Sequence, residues 1–432
     1  MIYSTQTSFQ PKAEIQLMQE KKLQDLILYV TNYSPFYKKL FAQNNINPNC
    51  IKTLKDLNKL PTTCKEDLQK NNYDFLCVPK NKIIEYSSTS GTLGSPVTIA
   101  LTENDLNRLA YNEYASFTTA NGSAEDVYQL MLTLDRQFMA GMAYYSGIRK
   151  MGAGIIRLGP GVPSLQWDTI LRLQPSAIVA VPSFIVKLIQ YANEHNIDVN
   201  KTSVKKAICI GENIRNNDFS LNILGKKITD AWHLQLFSTY ASTEMQTAFT
   251  ECTKFNGGHM QPELIILEML DENNQQVPSG QAGEVTITTL GVEGMPLLRY
   301  KTGDICNYYE EPCSCGRTSI RLSPIVGRKK QMIKYKGTTL YPPALFDILN
   351  EMDTVVDYVA EVYSNEMNTD EVLIYILPIN ISDETNRKIR ANLQARLRVS
   401  PHIKYINKEE IQKMQMPETG RKIIKFIDNR KN

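Results

Sequence analysis

Residues 177–212 read AIVAVPSFIVKLIQYANEHNIDVNKTSVKKAICIGE, and this stretch decides the fold. Its ends, Ala177–Val181 and Ala207–Ile210, are short apolar runs, the pattern of buried strands. Between them, Ser183–Ala192 carries apolar residues at helical spacing. Strand, helix, strand is the signature of a parallel crossover unit. The alternation continues outward. Val127–Leu134 and Gly154–Leu158 are expected as buried strands, with Leu165–Leu173 and Asn216–Leu224 as helices. The fold class expected is therefore α/β, with a wound, mostly parallel sheet.

The pattern changes on either side. From about 262 to 310, Leu264–Leu270, Glu284–Thr289 and Leu297–Tyr300 are strand-like and separated by turns such as Asp271–Gln276 and Pro278–Gly283, which suits an antiparallel or barrel-like β region. Beyond about 330, a strand (Val372–Leu377) and a helix (Asp383–Val399) suit a small α+β domain. Two domains are expected, 1–328 and 329–432. Near the start, residues 13–30 and Phe36–Phe41 have helical spacing, Leu54–Leu60 reads as a short helix, and Thr63 reads as an N-cap with Glu66 three residues on.

Composition narrows the class. The chain has 432 residues, 42% hydrophobic and 22% charged, which fits a globular protein of two or three units. The formal net charge of +3 leaves no basic footprint for nucleic acid, so no nucleic-acid partner is expected. The basic residues near the end (Arg421, Lys422, Lys425, Arg430, Lys431) read as a solvated tail, with Lys422 as the exception taken up below. No run of about 18 apolar residues predicts a membrane span, and the start lacks the pattern of a secretory signal. Eight cysteines are too sparse for a disulfide scaffold and are expected as reduced thiols in the cytoplasm.

Several motifs carry chemistry. Tyr86–Pro96 reads YSSTSGTLGSP. Its glycines let backbone N–H groups turn toward an anion and its hydroxyls add donors, as a phosphate cradle requires. A flexible polar hairpin has the same composition, and the spacing is not that of a Walker A loop. In Tyr240–Glu244, YASTE, a carboxylate after hydroxyls suits Mg²⁺ on a nucleotide phosphate, or an N-cap with an acidic first turn. In Leu298–Asp304, LRYKTGD, Asp304 suits a ribose diol or a β-turn. Ile325–Met332 begins IVGR, and Pro417–Lys422 reads PETGRK.

Taken in order, these five motifs resemble the core motifs of the acyl-adenylate-forming enzymes, and most closely the phenylacetate–coenzyme A ligases. The resemblance extends to Ser34–Tyr37, Leu54–Pro61, Thr63–Leu68, Val181–Ser183, Gly211–Glu212 and Lys422–Asp428. It implies ATP-dependent activation of an aryl carboxylic acid, phenylacetate or similar, through an acyl-adenylate. A thioester with coenzyme A then forms, and AMP and pyrophosphate are released. It implies that Ser90, Gly91, Thr92 and Gly94 hold phosphates, that Glu244 binds Mg²⁺, and that Gly211, Glu212, Tyr240, Ala241, Ser242 and Thr243 contact the nucleotide. Asp304 would grip the ribose beside Arg328. Lys422 would bridge the α-phosphate and the substrate carboxylate, then withdraw as the small C-terminal domain rotates near Arg328–Lys330. Departures from the family pattern are Thr89–Ser90, Leu93, Ser95, Ala241 and Lys330. Members are often dimers, and the residues leave the oligomeric state open.

Cys252 and His259, with Cys313 and Cys315, offer three thiolates and an imidazole, the donor set of a tetrahedral structural zinc. Reduced core cysteines beside a loop histidine are the alternative, and the Cys-x-Cys turn tips the reading toward zinc. Cys306 is a spare donor. Phe138, Tyr144 and Tyr145 suit either an aryl pocket or helix packing. Two other functions fit the same residues: adenylation with transfer to a carrier protein or other acceptor, and a zinc-stabilised nucleotide-binding protein without ligase activity.

Overall fold

Residues 177–212 form the strand–helix–strand unit expected of them: β5 (Ala177–Ala180), α7 (Pro182–Glu194) and β6 (Lys206–Ile210) in the labels introduced below. The computed structural model describes residues 3–89, 96–335, 338–365, 369–397, 399–416 and 423–430. The chain divides into two units, Met1–Pro324 and Ile325–Asn432.

In the first unit, helices α1 (Lys12–Tyr33), α2 (Pro35–Gln43) and α3 (Lys65–Asn71) precede a hairpin of β1 (Glu85–Ser88) and β2 (Thr98–Leu101). Pro35 starts α2 at its first turn, where a missing N–H costs nothing, and Ser34 caps it. Then follow α4 (Glu103–Thr119), β3 (Val127–Leu130), α5 (Met139–Met151), β4 (Gly154–Arg157), α6 (Pro163–Leu173), β5, α7, β6 and α8 (Ile223–Ala231). The remaining strands are β7 (Gln235–Ser242), β8 (Thr247–Glu251), β9 (Gly258–His259), β10 (Ile265–Leu270), β11 (Ala282–Thr289), β12 (Tyr300–Tyr309) and β13 (Arg321–Leu322).

These strands join in the order β10-β11-β12-β13-β9-β8-β7-β6-β5-β3-β4. The half from β4 to β7 is parallel and the rest antiparallel. Ile178 and Ala180 pack with Trp167, Leu188 and Trp232 under α6, α7 and α8. Ala177 and Val179 pack on the opposite face with Phe117, Tyr128 and Tyr144 under α4 and α5. Both faces are covered, so these strands show no polar alternation. Each fully buried large aliphatic side chain contributes about 1.5–3 kcal/mol.

Several local expectations fail. Residues 297–299 are not strand, since β12 begins only at Tyr300, and β4 is a half-exposed edge strand rather than a buried one. The N-cap of α3 is Cys64, not Thr63. Thr63 is drawn into a bridge with Tyr300, its N–H donating to Arg299 O at 3.0 Å and its hydroxyl to Leu298 O at 2.9 Å. Of Asn216–Leu224, expected as a helix, residues 216–222 form a narrow turn instead. Asn216 N–H donates to Ser220 O at 2.9 Å, and Asn222 caps α8, which begins only at Ile223. Asp218 accepts from Ser220 N–H at 3.0 Å, a local bond that competes with the helix.

The second unit pairs β14 (Ile333–Tyr335) with β15 (Thr338–Leu340). It then builds a four-stranded sheet from β16 (Val355–Ser364), β17 (Asp370–Pro378), β18 (His402–Tyr405) and β19 (Phe426–Asn429), ordered β18-β17-β16-β19. Helices α9 (Pro342–Glu351) and α10 (Asp383–Leu397) fill its larger core, and α11 (Lys408–Gln415) a smaller one. Arg430 is no solvated tail residue. It donates to Met332 O and Lys330 O, each at 2.7 Å, and pairs with Asp428 at 2.6 Å and Asp370 at 3.2 Å.

Candidate active site and metal centre

The parallel strands all end at one edge of the sheet, and their carboxyl ends present Val181–Ser183 after β5, Gly211–Glu212 after β6 and Thr243–Glu244 after β7. Strand order changes direction between β3 and β5, and in open wound sheets ligands bind outside the carboxyl ends beside such a point. Gly211 has φ +77°, open to glycine at no cost, and is exposed. Glu212 accepts from Ser183 N–H at 2.8 Å and from its hydroxyl at 2.9 Å, so its carboxylate caps the first turn of α7. Ser242 steadies the next turn by accepting from Met245 N–H at 3.2 Å. Ala241 is exposed and Ser242, Thr243 and Glu244 are half-buried.

Tyr240 and Asp304 meet: the phenol donates to Oδ2 at 2.8 Å. β8, β9 and β13 lie between their strands in the sheet. Four strand spacings would separate flat strands by about 19 Å. The antiparallel half therefore curls back on itself, which is the barrel-like region expected from its turns. Burial first, and then the Asp304 charge, raise the Tyr240 phenol far above its ordinary range, so it stays a donor. Burial followed by the Glu244 charge does the same to Tyr300. Glu244 and Asp304 thus border one region. Arg299 of the same motif serves the fold, since its guanidinium grips Glu268 at 3.0 and 3.1 Å and Leu60 O at 2.6 Å.

Ser90, Gly91, Thr92, Gly94 and Lys422 lie outside the described residues. The base of the hydroxyl/glycine loop is described: Thr89 N–H donates to Val97 O, and Val97 N–H to Thr89 Oγ1, both at 3.0 Å. Arg328 belongs to the second unit.

The four metal-ligand candidates come together because β9 lies between β8 and β13. Cys252 follows β8, His259 ends β9 opposite Arg321 of β13, and Cys313 and Cys315 lie on the turn leading into β13. Their donor atoms all fall within 4.8 Å of one another. The sulfurs of Cys252 and Cys313 are 3.8 Å apart, and Cys315 Sγ is 3.6 Å from His259 Nε2. Zinc bonds of about 2.3 Å to sulfur and about 2.0 Å to nitrogen in a tetrahedron set ligands about 3.8 Å (S···S) and about 3.6 Å (S···N) apart, so the donor set fits that ion. Arg317 donates to Cys315 Sγ at 3.5 Å, and the backbone of Arg317 closes the turn on Cys313 at 2.8 Å. Burial raises the Cys315 thiol, but the His259 and Arg317 hydrogen bonds outweigh it and bring it down to about 5. Cys306 is buried in β12 and stands outside this cluster.

Tyr144 is 3% exposed and stacks edge-on with Phe117 at 5.7 Å. Its ring belongs to the core, and Phe138 and Tyr145 pack partly buried against the same cluster. The sequence pattern missed the buried pair of Arg215 and Glu251, Nε to Oε1 at 2.8 Å. The partners are 36 residues apart, and no local pattern links them.

A wound sheet with glycine, hydroxyl and carboxylate turns at its carboxyl edge is the architecture in which open α/β proteins bind nucleotides. The chain belongs to the AMP-binding enzyme family, whose pattern matches residues 41–294. It is similar to the phenylacetate-coenzyme A ligase of Thermus thermophilus, 27% identical over 399 residues, covering 90% of this chain and 86% of the relative. The phenylacetate-coenzyme A ligase of Aromatoleum evansii is 26% identical over 344 residues, 78% of this chain and 75% of the relative. In fold the chain resembles 2-hydroxyisobutyryl-CoA ligase in the postadenylation state with 2-HIB-AMP, at a TM-score of 0.83 and 21% identity, covering 98% of this chain and 91% of that one. Among the described residues no helix is long and apolar enough to cross a membrane.

Proposed function

We propose that this protein activates an aryl carboxylic acid, phenylacetate or a close analogue, as an acyl-adenylate and passes the acyl group to coenzyme A. The observation that carries the reading is the Tyr240–Asp304 hydrogen bond, which sets a carboxylate beside the nucleotide turns in a member of the AMP-binding enzyme family. Four curated relatives are phenylacetate-coenzyme A ligases, which supports the choice of acid and of acceptor.

In the first step a carboxylate oxygen of the acid attacks the α-phosphorus of ATP. The bond to the bridging oxygen breaks, and pyrophosphate leaves with the electron pair. Negative charge grows on phosphate oxygens, so the protein's work is positioning and electrostatics. Ser90, Gly91, Thr92 and Gly94 hold the outer phosphates. Gly211 and Glu212 border the adenine with Tyr240 and Ala241, and Ser242 and Thr243 line the phosphate side. Asp304, oriented by Tyr240, accepts from the ribose hydroxyls, with Arg328 assisting. Glu244 is the ligand for Mg²⁺, which offsets phosphate charge when bound. Lys422 neutralises the α-phosphate and the incoming carboxylate together.

In the second step the thiolate of coenzyme A attacks the adenylate carbonyl and AMP departs. Lys422 sits on a terminal domain, 329–432, that turns about Arg328–Lys330 and carries the lysine away. The Cys252, His259, Cys313 and Cys315 set holds a structural Zn²⁺. The spacing of its donors supports this, and Arg317 balances the excess thiolate charge. None of the eight cysteines is joined in a disulfide, which supports a reducing compartment, the cytoplasm.

AMP release measured with ATP, Mg²⁺ and a panel of aryl and alkyl acids tests the whole reaction. Thioester formation with coenzyme A on an aryl acid is the expected result. Acyl transfer to a carrier protein, with coenzyme A inert, would replace the acceptor.

A further inference from the structure

Arg215 lies three residues beyond Glu212, in the loop between β6 and α8. Its side chain is 7% exposed and that of its partner Glu251 2%. Besides Nε to Glu251, Nη1 donates to Phe219 O at 3.2 Å within the loop, and Nη2 to Leu236 O at 3.2 Å on β7. The second oxygen of Glu251 accepts from Ser238 N–H at 2.9 Å. One guanidinium therefore ties the loop to two strands at once.

The same guanidinium also reaches the metal turn. Glu251 immediately precedes Cys252. Phe255, between Cys252 and His259, places its ring 4.7 Å from Arg215 Cζ, and its N–H donates to Cys252 O at 3.0 Å. Phe219 of the loop presses on this turn as well. Its ring lies 3.1 Å from where a Cβ on Gly257 would stand. The loop is thus braced against a turn that the four candidate metal donors close. Removing one member of a buried ion pair leaves the other charge uncompensated, so the brace has no cheap alternative arrangement.

We infer that Arg215 is a positioning residue that seats the nucleotide-facing loop on the metal turn, so that metal occupancy and ATP affinity are coupled. This rests on the reading of Gly211–Glu212 as adenine contacts and of the four-donor cluster as a zinc site. Coupling is reciprocal: if zinc tightens ATP binding, ATP must tighten zinc binding by the same factor.

The test uses the full-length protein, Arg215→Met, and the milder Arg215→Lys and Phe255→Leu in case the first fails to fold, with circular dichroism confirming fold. ATP affinity is measured by calorimetry, and zinc retention by titration with a colorimetric chelator with and without ATP. Stripping zinc from the parent should weaken ATP binding about tenfold, and ATP should protect zinc by the same factor. Zinc-loaded folded variants should bind ATP about tenfold more weakly, raise KM for ATP alone, and lose the protection. A folded variant with parental ATP affinity and parental protection overturns the inference while leaving the proposed function standing. A parent that binds no ATP overturns both.

Discussion

Tyr240 reaches across three intervening strands to hold Asp304, phenol to carboxylate at 2.8 Å. The curl of the antiparallel half makes this contact, and it fixes the carboxylate's direction before any ligand arrives. Tyr240→Phe keeps the ring and removes the donor. A hydrogen bond to a charged group contributes roughly 1.5–3 kcal/mol, so KM for ATP should rise about tenfold or more with kcat much less affected. Steady-state kinetics with ATP varied will read this split, and an unchanged KM would show that Asp304 needs no such support.

Cys315→Ser removes one of four donors from a cluster that joins three strands. The variant should lose zinc, measured by atomic emission, and melt roughly 5–10 °C lower than the parent. Chelation of the parent should lower its melting temperature to a similar degree. A parent free of zinc and indifferent to chelator would assign these residues to ordinary core packing.

Glu113 is 3% exposed on α4, beneath Gly147 of α5, where an added Cβ would stand 2.3 Å from its own Cβ. Oε1 accepts from Asn112 Nδ2 at 2.9 Å, and Oε2 has no hydrogen-bond partner among the described residues. Burial, against the small opposing effect of Asn112, pushes its carboxyl up to about 8. The folded state then binds more protons than the unfolded state between the ordinary glutamate value of 4.5 and about 8. Unfolding free energy must fall as pH rises through that window. Glu113→Gln should flatten this slope and be the more stable protein above pH 8, by the order of a few kcal/mol. Denaturant midpoints at several pH values will decide, and parallel slopes for the two proteins would refute it.

Lys422→Ala should slow adenylation about a hundredfold or more, since on the proposed mechanism it removes the charge that neutralises the developing transition state. Thioester formation from synthetic acyl-adenylate and coenzyme A should proceed near the parental rate. Rapid-quench measurement of each half-reaction separates the two, and equal losses in both would give Lys422 a different role.

The legibility of the fold tracks how local its causes are. Ile178 and Val179 announce a strand covered on both faces because each has apolar neighbours to bury against, α7 above and α5 below. Asn216–Leu224 misleads because its helical spacing competes with Asp218–Ser220 bonds and with Arg215, whose partner Glu251 is 36 residues away. Thr63 looks like a cap for the same reason, since Tyr300, which claims it, is distant in the chain. The candidate metal donors stand out in the sequence because thiols and imidazole are scarce and chemically specific. Their convergence depends on β9 sitting between β8 and β13, which no spacing reveals. Asp304 was legible as a turn aspartate, and only the curl of the sheet joins it to Tyr240.

The central claim is that an acid carboxylate is joined to AMP. Acid-dependent exchange of labelled pyrophosphate into ATP, run without coenzyme A, tests it most directly. The account predicts exchange with phenylacetate or another aryl acid, absent without acid and nearly abolished in Lys422→Ala. ATP binding with no exchange above background for any acid in the panel would contradict it.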